Sequence, residues 1–559
     1  MNEQIFWIIL KRLRTPFIVL VVTFSVSITG LVLISGMDDS GHVYHMSFFD
    51  AFYFVSYMAS TIGFGEAPYT FTYPQRIWVS AMIYITVIGW FYGIGTIVSI
   101  VQDEALKKAI GRNRFAKQVA NLNKKFFIIL GYNSVTKSII NKIKNDDYRV
   151  VVIDRSETKI EELILEDFYP HVPAYVGEAT KQQILKLAGI HQKNCVGVIS
   201  LFGDDTKNTR VATICKLLNK KVDVIVKATS KQHLEHFEFL NLKHIQNPFD
   251  IISKRIYYSI TAPSIWLLEM WMHGHSLKLR KRDVFPKGKY IICGYGQMGH
   301  AIEAGLKKAG IEYVLYNINS KKYLKTKGTS IFGDHEDEQK LIELGVEDAS
   351  CIIAATKDDL LNLTILNKAK SLNHDIFTVG RENSLEELNI FQAAKINKIY
   401  VLEQILADST YNHLAKPLSE AFISEVRKKD EDWAKIIVAM LVNMTGLNPS
   451  YFETVIDEEH MYALTLELKR GTHVSLAKLR RSRENRDDLL HIVYLILKRD
   501  GEIYLMPDNH MQLKIGDELL IVADDENRYD FEYITNNIHE LNYILGMDTT
   551  KVFLETNKT

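Results

Sequence analysis

Cysteine is scarce in this chain: there are four among 559 residues. Cys195, Cys215, Cys293 and Cys351 show neither metal-ligand spacing nor a disulfide framework, a usage that suits a reducing cytosol. An excess of charge of either sign is also missing, because 67 Lys and Arg face 67 Asp and Glu. That balance removes the global electrostatic reason to expect a nucleic-acid partner. No apolar span carries regularly spaced arginines, which argues against voltage sensing. Long apolar runs are absent beyond about the first hundred positions, and the remainder reads as an α/β protein. The chain is too long for one domain.

Two runs near the start are long enough to cross a bilayer. Pro16 to Ser35 and Ile77 to Val101 are nearly unbroken apolar stretches, each about 20 residues or more, which spans a ~30 Å hydrocarbon core. The first lacks the small-residue cleavage pattern of a signal peptide. Lys11, Arg12 and Arg14 precede it, and Lys107, Lys108, Arg112, Arg114 and Lys117 follow the second. The connection carries Asp38, Asp39, Asp50 and Glu66 against Arg76 alone. The positive-inside rule therefore predicts a multi-pass protein of the plasma (inner) membrane with both termini in the cytoplasm.

Ser47 to Ser60, between the runs, is apolar and aromatic but too short to cross, so it reads as a re-entrant helix. Thr61-Ile62-Gly63-Phe64-Gly65-Glu66 follows it. Glycines at alternate positions let successive carbonyls turn to one side, and rings of carbonyls can replace the hydration shell of a potassium ion. This segment resembles the potassium-channel filter, Thr-Val-Gly-Tyr-Gly, with Ile62, Phe64 and Glu66 replacing valine, tyrosine and the usual following aspartate. The exchange at Phe64 removes a hydroxyl that would brace the filter. The resemblance implies K+ as permeant ion, Thr61 to Gly65 as filter and Glu66 as pore mouth. It also implies a homotetramer, since each subunit supplies one filter strand. In the second run, Gly89, Gly93 and Gly95 serve either as a bend for gating or as close helix contacts. Ile97 and Val101, at helical spacing beyond Gly93, are candidates for an apolar constriction.

Residues 124 to 259 and 287 to 410 repeat one unit. Each begins with a strand running into glycine, at Phe126 to Gly131 and at Tyr290 to Gly294, and continues into a helix. Second strands follow at Val150 to Asp154 and Tyr313 to Asn317. Asp204, Asp205 and Asn208 of the first copy match Asp358, Asp359 and Asn362 of the second. Alternation at this spacing predicts a parallel, doubly wound sheet in each copy.

The second copy holds an intact dinucleotide fingerprint, Gly294-Tyr295-Gly296-Gln297-Met298-Gly299. Asn317 stands where a ribose-binding acid is expected. Asparagine still bonds a hydroxyl without repelling a phosphate, so NAD, AMP, ADP and ATP all remain candidates. The first copy keeps the acid, Asp154, after Gly131, but has Asn133 where the second glycine belongs. A Cβ there crowds a pyrophosphate, and the copy reads as a second nucleotide site or a structural unit. Arg381 is a candidate phosphate contact. Asp334 and Glu336, in an acidic cluster, are either hard-oxygen ligands for Ca2+ or acids at a helix start.

The paired units resemble regulator-of-potassium-conductance domains, which hang below prokaryotic two-span channels. The resemblance implies Rossmann-like domains, a clasped pairing of domains and an eight-domain gating ring that pulls on the pore helices. It extends to a small C-terminal subdomain with Val474-Ser-Leu, Ile492 to Leu497 and Leu513 to Asp517. The expected division is a pore domain at 1–105, a linker at 106–123, regulatory domains at 124–280 and 281–450, and an α+β subdomain and tail at 451–559. Ile251 to Met272 is expected to form dimerising helices. The function implied is a ligand-gated potassium channel and not an enzyme. A membrane-anchored NAD-dependent oxidoreductase is the alternative, but it needs a positioned acid or base, and its filter segment would have no role.

Overall fold

The computed structural model describes residues 3–547 except 145–147, 243, 275, 277, 281–284, 318–329, 333–337 and 384–387. The chain divides into two compact units, one ending at Leu122 and the other beginning at Asn123.

The first unit is helical. Helix α1 (Glu3–Leu33) precedes a two-stranded hairpin of β1 (Gly36–Met37) and β2 (Val43–Tyr44). Then come α2 (Phe48–Ala59), α3 (Tyr73–Gln102) and α4 (Glu104–Ala120). Ile9–Leu33 and Tyr73–Gln102 are long and apolar enough to cross a membrane, with mean hydropathy 2.3 and 1.7. Local chemistry sets the boundaries. Ser47 caps α2 by accepting from the Asp50 amide. Thr72 and Gln75 form a capping box at the start of α3. Asp103 ends α3 in an extended conformation and accepts from the Leu106 amide to start α4, so the expected linker is itself a helix. Small residues seat α3 against α1. A Cβ on Gly30 would lie 2.0 Å from the Trp78 ring, whose indole N–H donates to the Ser27 carbonyl.

The second unit contains two six-stranded parallel sheets with one strand order. The first comprises β3 (Phe126–Leu130), β4 (Arg149–Asp154), β5 (Ala174–Val176), β6 (Cys195–Ser200), β7 (Asp223–Lys227) and β8 (His244–Gln246). The second comprises β9 (Tyr290–Cys293), β10 (Tyr313–Asn317), β11 (Ser330–Phe332), β12 (Cys351–Ala354), β13 (Phe377–Glu382) and β14 (Lys398–Val401). The orders are β5-β4-β3-β6-β7-β8 and β11-β10-β9-β12-β13-β14. Both are the doubly wound order in which ligands bind beyond the carboxyl ends of the central strands. The central strands are buried throughout, as covered parallel strands must be.

The copies clasp within the chain. The Pro248–Thr261 helix, which follows the first copy, packs on the Gln297–Ala309 helix of the second through Ile252, Ile256, Met298, Ile302 and Leu306. Reciprocally, the Leu402–Ala415 helix buries Leu406 and Ala407 against Ile139, Ile140 and Ile143 of α5 (Ser134–Ile143) in the first copy. Each of these helices breaks before a proline, at Ala262 and Lys416, and a second helix follows, Pro263–Met272 or Pro417–Val426. The stretch expected to form dimerising helices packs, in this chain, on the other copy. The C-terminal part is an antiparallel sheet of β15 (Ser450–Val455), β16 (Val493–Arg499), β17 (Glu502–Leu505) and β18 (Glu518–Ala523). One face of it covers the Pro263–Met272 and Pro417–Val426 helices, and the other builds a core with the Asp525–Asn536 and Ile538–Leu545 helices.

Candidate functional site

Two places concentrate the chemistry, one in each unit. In the first, α2 runs into a segment where Thr61, Gly63 and Gly65 have φ of 62°, 67° and 74°. Left-handed residues alternate there with Ile62 and Phe64, and such alternation turns successive carbonyls to one side. Glycine takes this conformation cheaply, whereas a β-branched residue such as Thr61 is held in it against its preference. Strain of this kind, about 1–3 kcal/mol, collects at functional segments. The amides of Ile62 and Gly63 donate back to the Tyr57 carbonyl, tying the segment to α2.

Two tyrosines of α2 reach the residue that follows this segment. Tyr57 donates to the Glu66 carbonyl at 2.6 Å and Tyr53 to the Glu66 carboxylate at 3.0 Å. The Phe64 ring lies edge-on to Tyr57 at 6.2 Å. Sequence reasoning missed both tyrosines; their spacing of four along one helix face was the available signal. Of the candidate gating glycines, Gly89 is a packing contact, with a Cβ there 3.1 Å from Thr23 Oγ1. At Gly93 a Cβ meets the Leu20 side chain at ordinary distance, and at Gly95 it meets nothing. Ile97 is 54% exposed on α3.

The second copy's loop gives its three glycines three distinct roles. Gly294 has φ 100°, and a Cβ on it would lie 2.9 Å from the Thr356 amide nitrogen. A Cβ on Gly299 would lie 2.2 Å from the Gly294 carbonyl oxygen, so strand and helix meet there too closely for any side chain. Around the Cβ position of Gly296 there is open space. Gly296 is also the N-cap of the Gln297–Ala309 helix and caps it with no side chain. The exposed start of that helix therefore leaves its first-turn N–H groups uncapped by any side chain, and helix N-termini of this kind can receive phosphate. Met298 is fully buried beneath the loop, in the same core as Tyr295. The Tyr295 hydroxyl donates to Glu303 at 2.5 Å, and Tyr313 and Lys307 converge on that same carboxylate. These three hydrogen bonds hold Glu303 ionised below its usual range against the opposing effect of burial.

The corresponding position in the first copy is filled by its own chain. Asn133 caps α5, its side chain accepting from the Thr136 amide while Thr136 accepts from the Asn133 amide. Gly131 keeps φ 91°. Asp154, the expected ribose ligand, spends its carboxylate on the Tyr132 amide at 2.7 Å and the Ser156 amide at 2.8 Å.

Arg381 lies at the carboxyl end of β13, on the sheet edge that carries the Gly294 loop. It is 7% exposed, and its Nε has no hydrogen-bond partner among the described residues. Burial lowers its pKa, with Asp359 opposing. Asn317 ends β10, two strands from β12, and its side chain lies outside the described residues. Asp334 and Glu336 also lie outside them. Among the described residues, no group of three or more His, Cys, Asp or Glu side chains is placed to hold a metal. The repeated asparagines have one structural duty. Asn208 accepts from the Phe202 amide and donates to the Lys227 carbonyl, as Asn362 does with Thr356 and Arg381.

Residues 127–248 and 290–402 each match the TrkA-N domain family. An uncharacterized protein of Methanothermus fervidus is 23% identical over 265 residues, 47% of this chain and 40% of that one. Potassium channel protein 1 of Methanocaldococcus jannaschii is 27% identical over 226 residues, 40% of this chain and 63% of that one. The chain thus spans about half the length of these curated relatives. A solved structure described as the GsuK channel bound to NAD aligns with 95% of this chain and 99% of its own at 14% identity, with a TM-score of 0.48. The chain is thus similar to archaeal potassium channel proteins, and after its two membrane-length helices its sequence carries two successive matches to the TrkA-N domain family.

Proposed function

We propose that the chain is one subunit of a tetrameric, potassium-selective channel whose opening is set by a nucleotide bound in the second TrkA-N copy. The alternation of left-handed residues at Thr61, Gly63 and Gly65, beyond a short helix between two membrane-length ones, carries this reading. Four such segments around an axis form stacked rings of carbonyl oxygens that replace the hydration shell of K+. The oxidoreductase alternative leaves that segment without a role.

NAD or an adenine nucleotide fits the second copy because its phosphates would meet uncapped amides beside Gly296, with Arg381 on the same sheet edge. The self-capped loop of the first copy serves as scaffold. Gating then follows from differential binding. A ligand that prefers one ring conformation tenfold contributes about 1.4 kcal/mol per site, and four sites reach about 5.5 kcal/mol, which moves a 1:99 equilibrium to 99:1. In this reading both termini and the TrkA-N copies lie in the cytoplasm, and α4 carries the ring's motion to α3.

Single-channel recording in planar bilayers tests the proposal, with asymmetric K+ and Na+ and with NAD, ADP, ATP and Ca2+ added separately to the cytoplasmic side. The expected result is a reversal potential near that of K+ and an open probability changed by a nucleotide. Gly296→Asp is expected to lose that response while keeping the current. Current without selectivity, or selective current that no nucleotide alters, would remove one half of the reading or the other.

A further inference from the structure

The clasp encloses a cleft of about 450 Å³ that belongs to neither nucleotide loop. Its walls come from both copies. The end of β8 and the Pro248–Thr261 and Pro263–Met272 helices form one side, and the Leu402–Ala415 and Pro417–Val426 helices form the other. The volume falls within the roughly 300–1,000 Å³ of small-molecule sites. Its charged lining is balanced: Lys254, Arg255 and Arg427 stand against Asp250, Glu269 and Glu420. Much of this charge is already paired, Lys254 with Asp250 at 2.7 Å and Arg427 with Glu269 at 2.7 Å. Glu420 receives His273 at 3.0 Å.

Two buried polar atoms on these walls, one on Gln246 and one on Glu269, make no hydrogen bond among the described residues. Gln246, 2% exposed, accepts from Ser409 through its oxygen, but its Nε2 donor has no partner among the described residues. Glu269, 1% exposed, directs one oxygen to Arg427, while its Oε1 stands 3.9 Å from Arg255 Nε and makes no hydrogen bond among those residues. A buried donor or acceptor without a hydrogen bond is costly, so an occupant that supplies both kinds of partner is favoured. A simple anion would face Glu269 and Glu420 without compensation, and a simple cation would face Arg255 and Arg427. A molecule carrying both signs meets a complement at each end.

We propose that this cleft binds a small zwitterion of the amino-acid class, its ammonium toward the Glu269 side and its carboxylate toward Gln246 and the cationic groups. Because the ligand touches both copies, it favours the clasp geometry that fits it and supplies a second input alongside the nucleotide. The site does not depend on the channel reading.

Thermal unfolding and isothermal titration of the full chain in detergent, with each standard amino acid in turn, test this. Inorganic phosphate and ammonium chloride serve as single-charge probes. At least one amino acid is expected to raise the unfolding temperature and bind with measurable heat, while phosphate and ammonium do neither. Ser424→Trp fills the cleft from an exposed position without touching the charge network, and Gln246→Met removes the spare donor at similar size. Either variant is expected to weaken amino-acid binding at least tenfold and leave NAD binding unchanged. The proposal is overturned if no amino acid binds, which leaves a water-filled cleft. It is equally overturned if phosphate or ammonium binds as well as any amino acid, or if both folded variants bind like the parent.

Discussion

Gly296 and Gly299, three residues apart, respond to the same substitution in opposite ways. In Gly299→Ala the new methyl meets the Gly294 carbonyl at 2.2 Å, and overpacking of this kind destabilises by about 1–3 kcal/mol. In Gly296→Ala the methyl enters open space, so stability stays within about 0.5 kcal/mol. On the proposed nucleotide reading, NAD affinity should nevertheless fall more than tenfold, because the methyl would obstruct the phosphate's approach. Thermal unfolding and calorimetric titration of the two variants side by side separate the effects. At the segment proposed as the filter, Tyr57→Phe removes the brace on the Glu66 carbonyl and is expected to lower the K+ over Na+ permeability ratio, read from bi-ionic reversal potentials. Glu420 gives a pH dependence. Its pKa is depressed to about 2 by the hydrogen bond from His273 and the charges of His273, His413 and Arg427, which outweigh burial. A depressed carboxyl contributes stability above its unfolded value, and that contribution is lost as pH falls toward 2. Denaturant titrations from pH 5 downward should therefore show a steeper loss for the parent than for Glu420→Gln.

Helices and their seats set the next level. The Pro248–Thr261 helix approaches the Gln297–Ala309 helix at Gly305, where a Cβ would lie 2.7 Å from the Ser253 carbonyl. Gly305→Val should separate the two and cost about 1–3 kcal/mol. On the reciprocal contact, Leu406→Ala leaves a cavity against Ile139 and Ile143, expected to cost about 2–5 kcal/mol. Chemical denaturation measures both. Both losses arise because the same kind of contact is made twice, once in each direction. These partners were not legible in the sequence. An apolar helical stripe at Ile252, Ile256 and Ile260 announces that it must be buried, yet nothing in its spacing names the surface that buries it. Dimerisation with another chain and clasping within one chain satisfy the same stripe.

Across the whole molecule, all four cysteines are buried, and burial pushes the thiols of Cys195, Cys215 and Cys293 up to about 12. Because the thiolate is the reactive form, a thiol reagent should label none of the four in the folded chain and all four after unfolding. A colorimetric thiol count with and without denaturant checks this. Local chemistry in the sequence determined the two membrane-length helices, the glycine-spaced segment between them, the two doubly wound sheets and the intact loop at Gly294. Each depends on residues close together in the chain, through hydropathy, glycine geometry and strand–helix alternation. Tertiary structure alone decided what lies between distant segments. It set Tyr53 and Tyr57 on Glu66, spent Asp154 on its own backbone, seated each copy's trailing helix on the other copy, and left Gln246 and Glu269 facing one cleft. Burial and hydrogen-bond pairing depend on which surfaces meet, and a one-dimensional pattern does not encode that choice.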